Sequence, residues 1–126
     1  MGTINILEAL SKIKKKVVAV IVTRDKVYKN WEILRGYHEE DMLGGYDPYS
    51  ASKASADLAV KSYFFSKLQY KKNLKICIAR AGNVIGGGDW SEGRLIPDCV
   101  KKWSSKKIVY IRKQKTKRPW QNVLDV

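Results

Sequence analysis

Apolar side chains recur at Ile4, Ile6, Leu7 and Leu10, a helical spacing that predicts a helix over residues 3–12. Val17 to Val22 is an unbroken apolar run rich in β-branched residues. Without polar alternation, such a run predicts a parallel strand covered on both faces. Lys75 to Ala79 predicts a second, shorter strand. Between them lie a polar loop, from Thr23 to Asp47, and a stretch of helix formers from Ala51 to Leu68 with Ala54, Leu58, Ser62 and Phe65 along one side. Pro48 fixes the backbone at the start of that helix, and Asp47 offers a capping carboxylate, so Tyr49 falls in its first turn. The order helix, strand, loop, helix, strand is α/β winding. Beyond the glycine turn Gly86-Gly87-Gly88, Leu95 to Trp103 predicts a helix and Ile108 to Ile111 a strand, followed by a basic turn and an end segment from Trp120 to Val126. No internal repeat, linker or low-complexity segment interrupts this order.

Composition adds bounds. With 126 residues, 44% hydrophobic and 10% aromatic, the chain has the material of one globular domain. No apolar run approaches the roughly 20 residues that span a bilayer, and the N-terminus lacks the charged-then-apolar order of a signal peptide. A cytoplasmic location is expected. Cys77 and Cys99 have neither pairing nor metal-like spacing and read as buried reduced thiols. His38 is the only histidine, which leaves a zinc site or a histidine-based nucleophile system without material; no metal is expected. The formal charge of +13 raises nucleic acid or an anionic membrane as a partner, but the lysines are scattered at helix ends and in loops, with no interleaved aromatic stripe for stacking bases. A solvated surface accounts for them, and neither nucleic acid nor membrane is expected. Some of the positive potential would still attract a pyrophosphate-bearing substrate.

The chemistry concentrates at Tyr49-Ser50-Ala51-Ser52-Lys53. A tyrosine and a lysine four residues apart lie one helical turn from each other and can approach one ligand. A nearby cation and the positive end of the helix dipole both favour a phenolate, as a general base requires. On its own the pair is a weak signal, since most such pairs are surface contacts on a helix. Its flanks narrow the choice. The stretch Leu43 to Lys53 resembles the catalytic segment of extended short-chain dehydrogenases/reductases, the NAD-dependent epimerases and dehydratases that act on nucleotide sugars. Arg80-Ala81-Gly82-Asn83-Val84-Ile85-Gly86-Gly87-Gly88-Asp89-Trp90, with Arg94-Leu95-Ile96-Pro97-Asp98, resembles their substrate-binding loop, and Arg118-Pro119-Trp120-Gln121 a later one. The similarity covers nearly the whole chain. Within the family it is greatest to the 4,6-dehydratases, where Thr23-Arg24-Asp25-Lys26 matches a hydroxyl residue followed by an acidic pair, and where Lys26 is the residue of the CDP-sugar branch.

The resemblance implies a Rossmann-like α/β parallel sheet, met here as a central fragment. The first cofactor-binding βαβ half, with its glycine-rich turn, and the end of the substrate lobe have no counterpart in these residues. Residues 1–85 would be the second half of the sheet and 86–126 the start of the substrate lobe. It further implies NAD as cofactor, held by Tyr49 and Lys53, with Tyr49, Lys53, Asp25 and Lys26 catalytic and Asn83, Arg94, Leu95 and Arg118 gripping a nucleotide-sugar substrate. Read from the residues alone, the same four are a turn asparagine, a solvated arginine at a helix start, a core leucine and a surface cation. A homodimer is the family's assembly, and self-association is expected of a fragment with an unpaired apolar strand. Arg24 departs from the family, which has Ser or Thr there bonded to the catalytic tyrosine; a guanidinium donates only and cannot relay a proton. Thr23 does not replace it, because neighbours along a strand point to opposite faces. Met42, in place of proline, and Asn122, in place of histidine, are milder departures. Other readings are another nucleotide-sugar epimerase or dehydratase of the same family, a non-catalytic remnant and a basic binding protein; Asp25-Lys26 speaks against the first and Arg24 for the second.

Overall fold

The computed structural model describes all residues, 1–126, and divides into two compact units, Met1–Ala81 and Gly82–Val126. The first unit runs α1 (Gly2–Lys12), β1 (Val17–Arg24), a 3-10 turn (Asp25–Val27), α2 (Pro48–Tyr63) ending in a π turn (Phe64–Leu68), and β2 (Leu74–Ala81). β1 and β2 pair in parallel from Val17↔Leu74 to Arg24↔Ala81. Helix α2 is therefore the crossover of a βαβ unit, which brings its face back onto the sheet. Leu7, Val60, Leu68 and Leu74 form the core, and Val17, Ile21, Ile76 and Ile78 pack against it from the sheet.

The helix boundaries follow local chemistry. Asp47 caps α2: one carboxylate oxygen accepts from the Ser50 N–H at 3.0 Å and the other from the Ser50 hydroxyl at 2.6 Å. Pro48 follows as the first helical residue, where no donor is lost. Gly45 is required just upstream, since a Cβ there would sit 2.3 Å from Ser50 Cβ. The ends of α1 and α2 are tied by Glu8, which accepts from the Tyr63 hydroxyl at 2.6 Å and from Lys67 Nζ at 3.1 Å.

Three sequence expectations are corrected in this unit. The valine run is not covered on both faces: Val18, Val20 and Val22 are 72%, 54% and 59% exposed, while the alternate positions face the helices. An unbroken apolar run does not specify two-sided cover; here α1 and α2 both contribute to one core, so one face stays bare. Cys77, register partner of Val20, lies on that face and is exposed rather than buried, whereas Cys99 is buried as expected. The buried stripe of α2 is Ser50, Ala54, Asp57 and Val60; Leu58 and Phe65 point to solvent. β1 also continues through Thr23 and Arg24, two residues beyond the apolar run.

The second unit contains β3 (Asn83–Ile85), α3 (Leu95–Ser104), β4 (Trp120–Asn122) and a 3-10 turn (Val123–Asp125). β3 and β4 are parallel partners, Asn83 opposite Trp120. Gly82 and Gly86 allow the close approach, as a Cβ would meet Pro119 Cγ at 2.9 Å and Val123 Cγ1 at 2.6 Å, respectively. Residues 108–111 form no strand, contrary to the sequence expectation. Val109, Tyr110 and Ile111 instead border a cleft beside α3.

The bare sheet face predicts association. Sedimentation velocity at physiological salt is expected to show reversible self-association, reduced by Val20→Lys, with the variant's stability within about 0.5 kcal/mol of the parent. A stable monomer unaffected by the substitution would show that the face is not adhesive.

Candidate active site

At the ends of β1 and α2 the first unit gathers four of the residues singled out in the sequence. The strand carries the chain to Arg24, and the 3-10 turn then presents Asp25 and Lys26 while burying Val27. The Val27 carbonyl accepts from the Gly44 N–H at 2.7 Å, Lys29 N–H donates to the Met42 carbonyl at 2.9 Å, and Tyr28 bridges Leu43. These bonds return the loop to the start of α2. Tyr49 stands in the first turn of that helix, 43% exposed, with Lys26 Nζ at 5.8 Å and Lys53 Nζ at 5.9 Å from its ring centroid. Two ammonium groups, one from the turn and one from the helix, thus flank a single accessible phenol.

Arg24 Nε lies 4.0 Å from Asp25 Oδ1. The Arg24 guanidinium therefore sits against the neighbouring carboxylate. Thr23 turns the other way, 3% exposed, its hydroxyl 3.5 Å from Asp57 Oδ2 rather than at Tyr49. This matches the alternation expected of adjacent strand residues. The Ser50 hydroxyl and N–H, with smaller help from the Lys26 charge, hold the Asp47 carboxyl below its ordinary value of 3.8.

Beneath this cluster is a pair that sequence reasoning missed. Arg80 Nε and Nη2 each donate to Asp57 at 2.9 Å, a bidentate fork whose carboxylate is fully buried. Arg80 Nη1 donates to the Tyr28 hydroxyl at 2.8 Å and to the Glu39 carbonyl at 3.1 Å, and the guanidinium lies 4.8 Å from the Tyr28 ring centroid. Hydrogen bonding to Asp57, with a smaller contribution from Tyr28, holds the guanidinium protonated well above the ordinary arginine range, against the opposing effect of burial. One signal was available: Asp57 shares the helical stripe of Ala54 and Val60, where an acid must have a cationic or donor partner.

The other four predicted residues belong to the second unit. Asn83 opens β3, its N–H donating to the Pro119 carbonyl at 3.0 Å. Arg94 is the residue before α3, Leu95 its first residue, and Arg118 an exposed residue two places before β4. Of these only Leu95 lines the cleft of about 620 Å³ beside α3, which Asp98, Cys99, Val109, Ile111 and Arg112 also border.

Against this geometry the comparisons with known proteins are decisive. The NAD dependent epimerase/dehydratase family profile matches residues 1–126. The chain belongs to this family. It is 42% identical to CDP-glucose 4,6-dehydratase of Salmonella typhimurium over 99% of its length, and 34% identical to dTDP-D-glucose 4,6-dehydratase of Dictyostelium discoideum over 79%. It covers 36% and 24% of those proteins. Among solved structures it is similar to dTDP-glucose 4,6-dehydratase of Bacillus anthracis in complex with NAD, with a TM-score of 0.83, 30% identity and cover of 98% of this chain and 38% of that one. UDP-glucuronic acid 4-epimerase of Bacillus cereus, with a TM-score of 0.80 and 20% identity over 98% of this chain and 37% of that one, shares the fold. The architecture is accordingly a Rossmann-like α/β parallel sheet, and the chain spans between 24% and 38% of the length of these relatives.

Two outcomes are expected. Asp57→Ala leaves a largely buried guanidinium unpaired and should cost about 3–5 kcal/mol, read from urea denaturation; a cost below 1 kcal/mol, roughly a surface pair's worth, would show the fork to be solvated. The second concerns pH. Because Asp47 is lowered in the folded chain, its contribution is fully present above its unfolded value and is lost as pH falls through the folded one. Amide exchange at Ser50 and Ala51 should therefore accelerate on acidification below 3.8, relative to the middle of α2, and Asp47→Asn should remove that pH dependence.

Proposed function

We propose that this chain is the central part of a nucleotide-sugar 4,6-dehydratase acting on CDP-glucose, forming the 4-keto-6-deoxy sugar by internal oxidation, loss of water and reduction. The observation that carries the reading is the convergence of Tyr49, Lys53 and the Asp25-Lys26 turn at one end of the sheet, together with 42% identity to a CDP-glucose 4,6-dehydratase. Residues 1–85 then serve as the second half of the cofactor domain and 86–126 as the start of the substrate lobe.

The residues present fit one end of NAD. An accessible phenol and an adjacent ammonium at a helix N-terminus suit a nicotinamide ribose. β1 is followed by a 3-10 turn without glycine, so the pyrophosphate has no cradle there. NAD, its nicotinamide ribose held by Tyr49 and Lys53, would supply reversible hydride transfer between carbon 4 and carbon 6 of the sugar. In this scheme Tyr49 takes the proton of the 4-hydroxyl, and Lys53 orients the ribose and supports the phenolate. Asp25 protonates the departing 6-hydroxyl while Lys26 assists removal of the carbon-5 proton, made acidic by the 4-ketone. Asn83, Arg94, Leu95 and Arg118 hold the nucleotide diphosphate, the arginines through charge-assisted bonds to phosphate.

A second reading, a non-catalytic remnant, is favoured by one observation: Arg24 replaces the hydroxyl residue and sits 4.0 Å from the proposed acid Asp25. The two readings part in one experiment. Residues 1–126 are grafted into the Salmonella relative in place of its matching segment, and CDP-glucose turnover is followed at the 4-ketone. Measurable turnover that falls by about a hundredfold or more in Tyr49→Phe, and rises in Arg24→Ser, supports the dehydratase. A graft that binds NAD but turns over nothing, with or without Arg24→Ser, would establish the remnant.

A further inference from the structure

The buried polar cluster around Arg80 is not used by the reaction scheme. Two apolar side chains of similar volume at positions 57 and 80 would join helix to sheet without desolvating an ion pair, and such replacements are often neutral or stabilising. A fork differs from apolar packing in that it fixes orientation as well as proximity. Arg80 uses that property in three directions. Its Nε and Nη2 hold Asp57 on α2, and its Nη1 holds the Tyr28 hydroxyl and the Glu39 carbonyl in the loop after β1. Asp57 lies eight residues beyond Tyr49 on the same helix, about 12 Å along its axis. Tyr28 lies two residues beyond Lys26. The arms of one planar group therefore end on the two elements that carry the phenol and the turn cation.

We propose that Arg80 is a positioning residue: through Asp57 and Tyr28 it sets the separation between Tyr49 on α2 and the Asp25-Lys26 turn. The existence of this device is independent of the reaction, whereas its catalytic meaning rests on the dehydratase reading. Two other contacts bear on the same elements and define the control. Val27 is buried, which anchors the turn by itself, and Glu8 ties α1 to α2 through Tyr63 and Lys67 at the far end of the helix. If general packing sufficed, loosening either end of α2 would act alike.

The test is made on the full 126-residue chain by NMR, following the nuclear Overhauser effect from the Lys26 ε-methylene to the Tyr49 ring. Tyr28→Phe removes one hydroxyl and keeps the ring. Arg80→Lys keeps the charge and loses the fork. Both are expected to reduce the effect to less than half of its parent intensity, while Glu8→Gln leaves it unchanged. Unaltered intensity in Tyr28→Phe and Arg80→Lys would overturn the proposal. So would an equal loss in Glu8→Gln, or an unfolded Tyr28→Phe, since the hydroxyl would then serve folding rather than placement. In the active graft the same two substitutions should lower kcat by about a hundredfold with KM little changed, the signature of misplaced reacting groups. Failure of the NMR result sinks the positioning role and leaves the dehydratase reading intact; an NMR result as expected in a graft without turnover does the reverse.

Discussion

The first unit depends on an ion pair that has almost no water to share it with. Asp57 is fully buried and Arg80 nearly so, and each satisfies the other through two bonds of one length. Neither could be retained alone. A carboxylate on the core-facing side of α2 requires a cation to arrive from the sheet, and a guanidinium at the end of β2 requires an acid to face it. The pair therefore excludes any register in which the helix has slipped by a residue. Apolar packing such as that of the Leu7, Val60, Leu68 and Leu74 cluster would tolerate a small slide; a planar fork does not. Everything downstream inherits that precision, from Ser50 under the Asp47 cap to the side of α2 on which Tyr49 and Lys53 emerge.

Steric constraints act at the other end of the same helix. Gly45 is pressed against Ser50, so the chain enters α2 along one path, and the loop from Tyr28 to Leu43 is stiffened before it arrives there. Tyr28 stacks on Tyr37 with centroids 5.0 Å apart, and Arg35 grips Asp41 through two bonds of 2.7 Å. A long connection is thereby converted into a defined support for the Asp25–Val27 turn. In the second unit glycines do comparable work, allowing β3 to lie beside Pro119 and Val123 while α3 and residues 109–112 enclose the cleft.

Much of this was legible in the residues. Proline after aspartate located the start of α2, the apolar runs located β1 and β2, and of the residues grouped from the motifs Lys26 and Lys53 stand beside the Tyr49 ring, with Asp25 next to Lys26 in the turn. What escaped had physical reasons. A continuous valine run is the same string whether one face or two are covered, so the bare side of β1 and the exposure of Cys77 could not be read from it. Ile108 to Ile111 has the composition of a strand but finds no partner to pair with, and β-propensity without a partner yields only an apolar rim. Asp57 was passed over because acids on helices are usually solvated; its partner lies 23 residues away, at the end of a strand. The placement of Arg24 against Asp25 likewise depends on side-chain direction at the strand end, which the order of residues does not encode.

The one-sided sheet has a calorimetric consequence. Unfolding changes the heat capacity, and the response to denaturant, mainly by wetting apolar surface that was dry in the folded state. Along β1 half of that surface is wet already, because Val18, Val20 and Val22 meet solvent before any bond is broken. The monomer should therefore unfold with a smaller heat-capacity step and a shallower urea slope than its length implies, and a flattened stability curve would follow. The valines that a covering layer would turn into core instead contribute little to the temperature dependence of the folded state, so any partner that covers them would sharpen the transition as well as raise it.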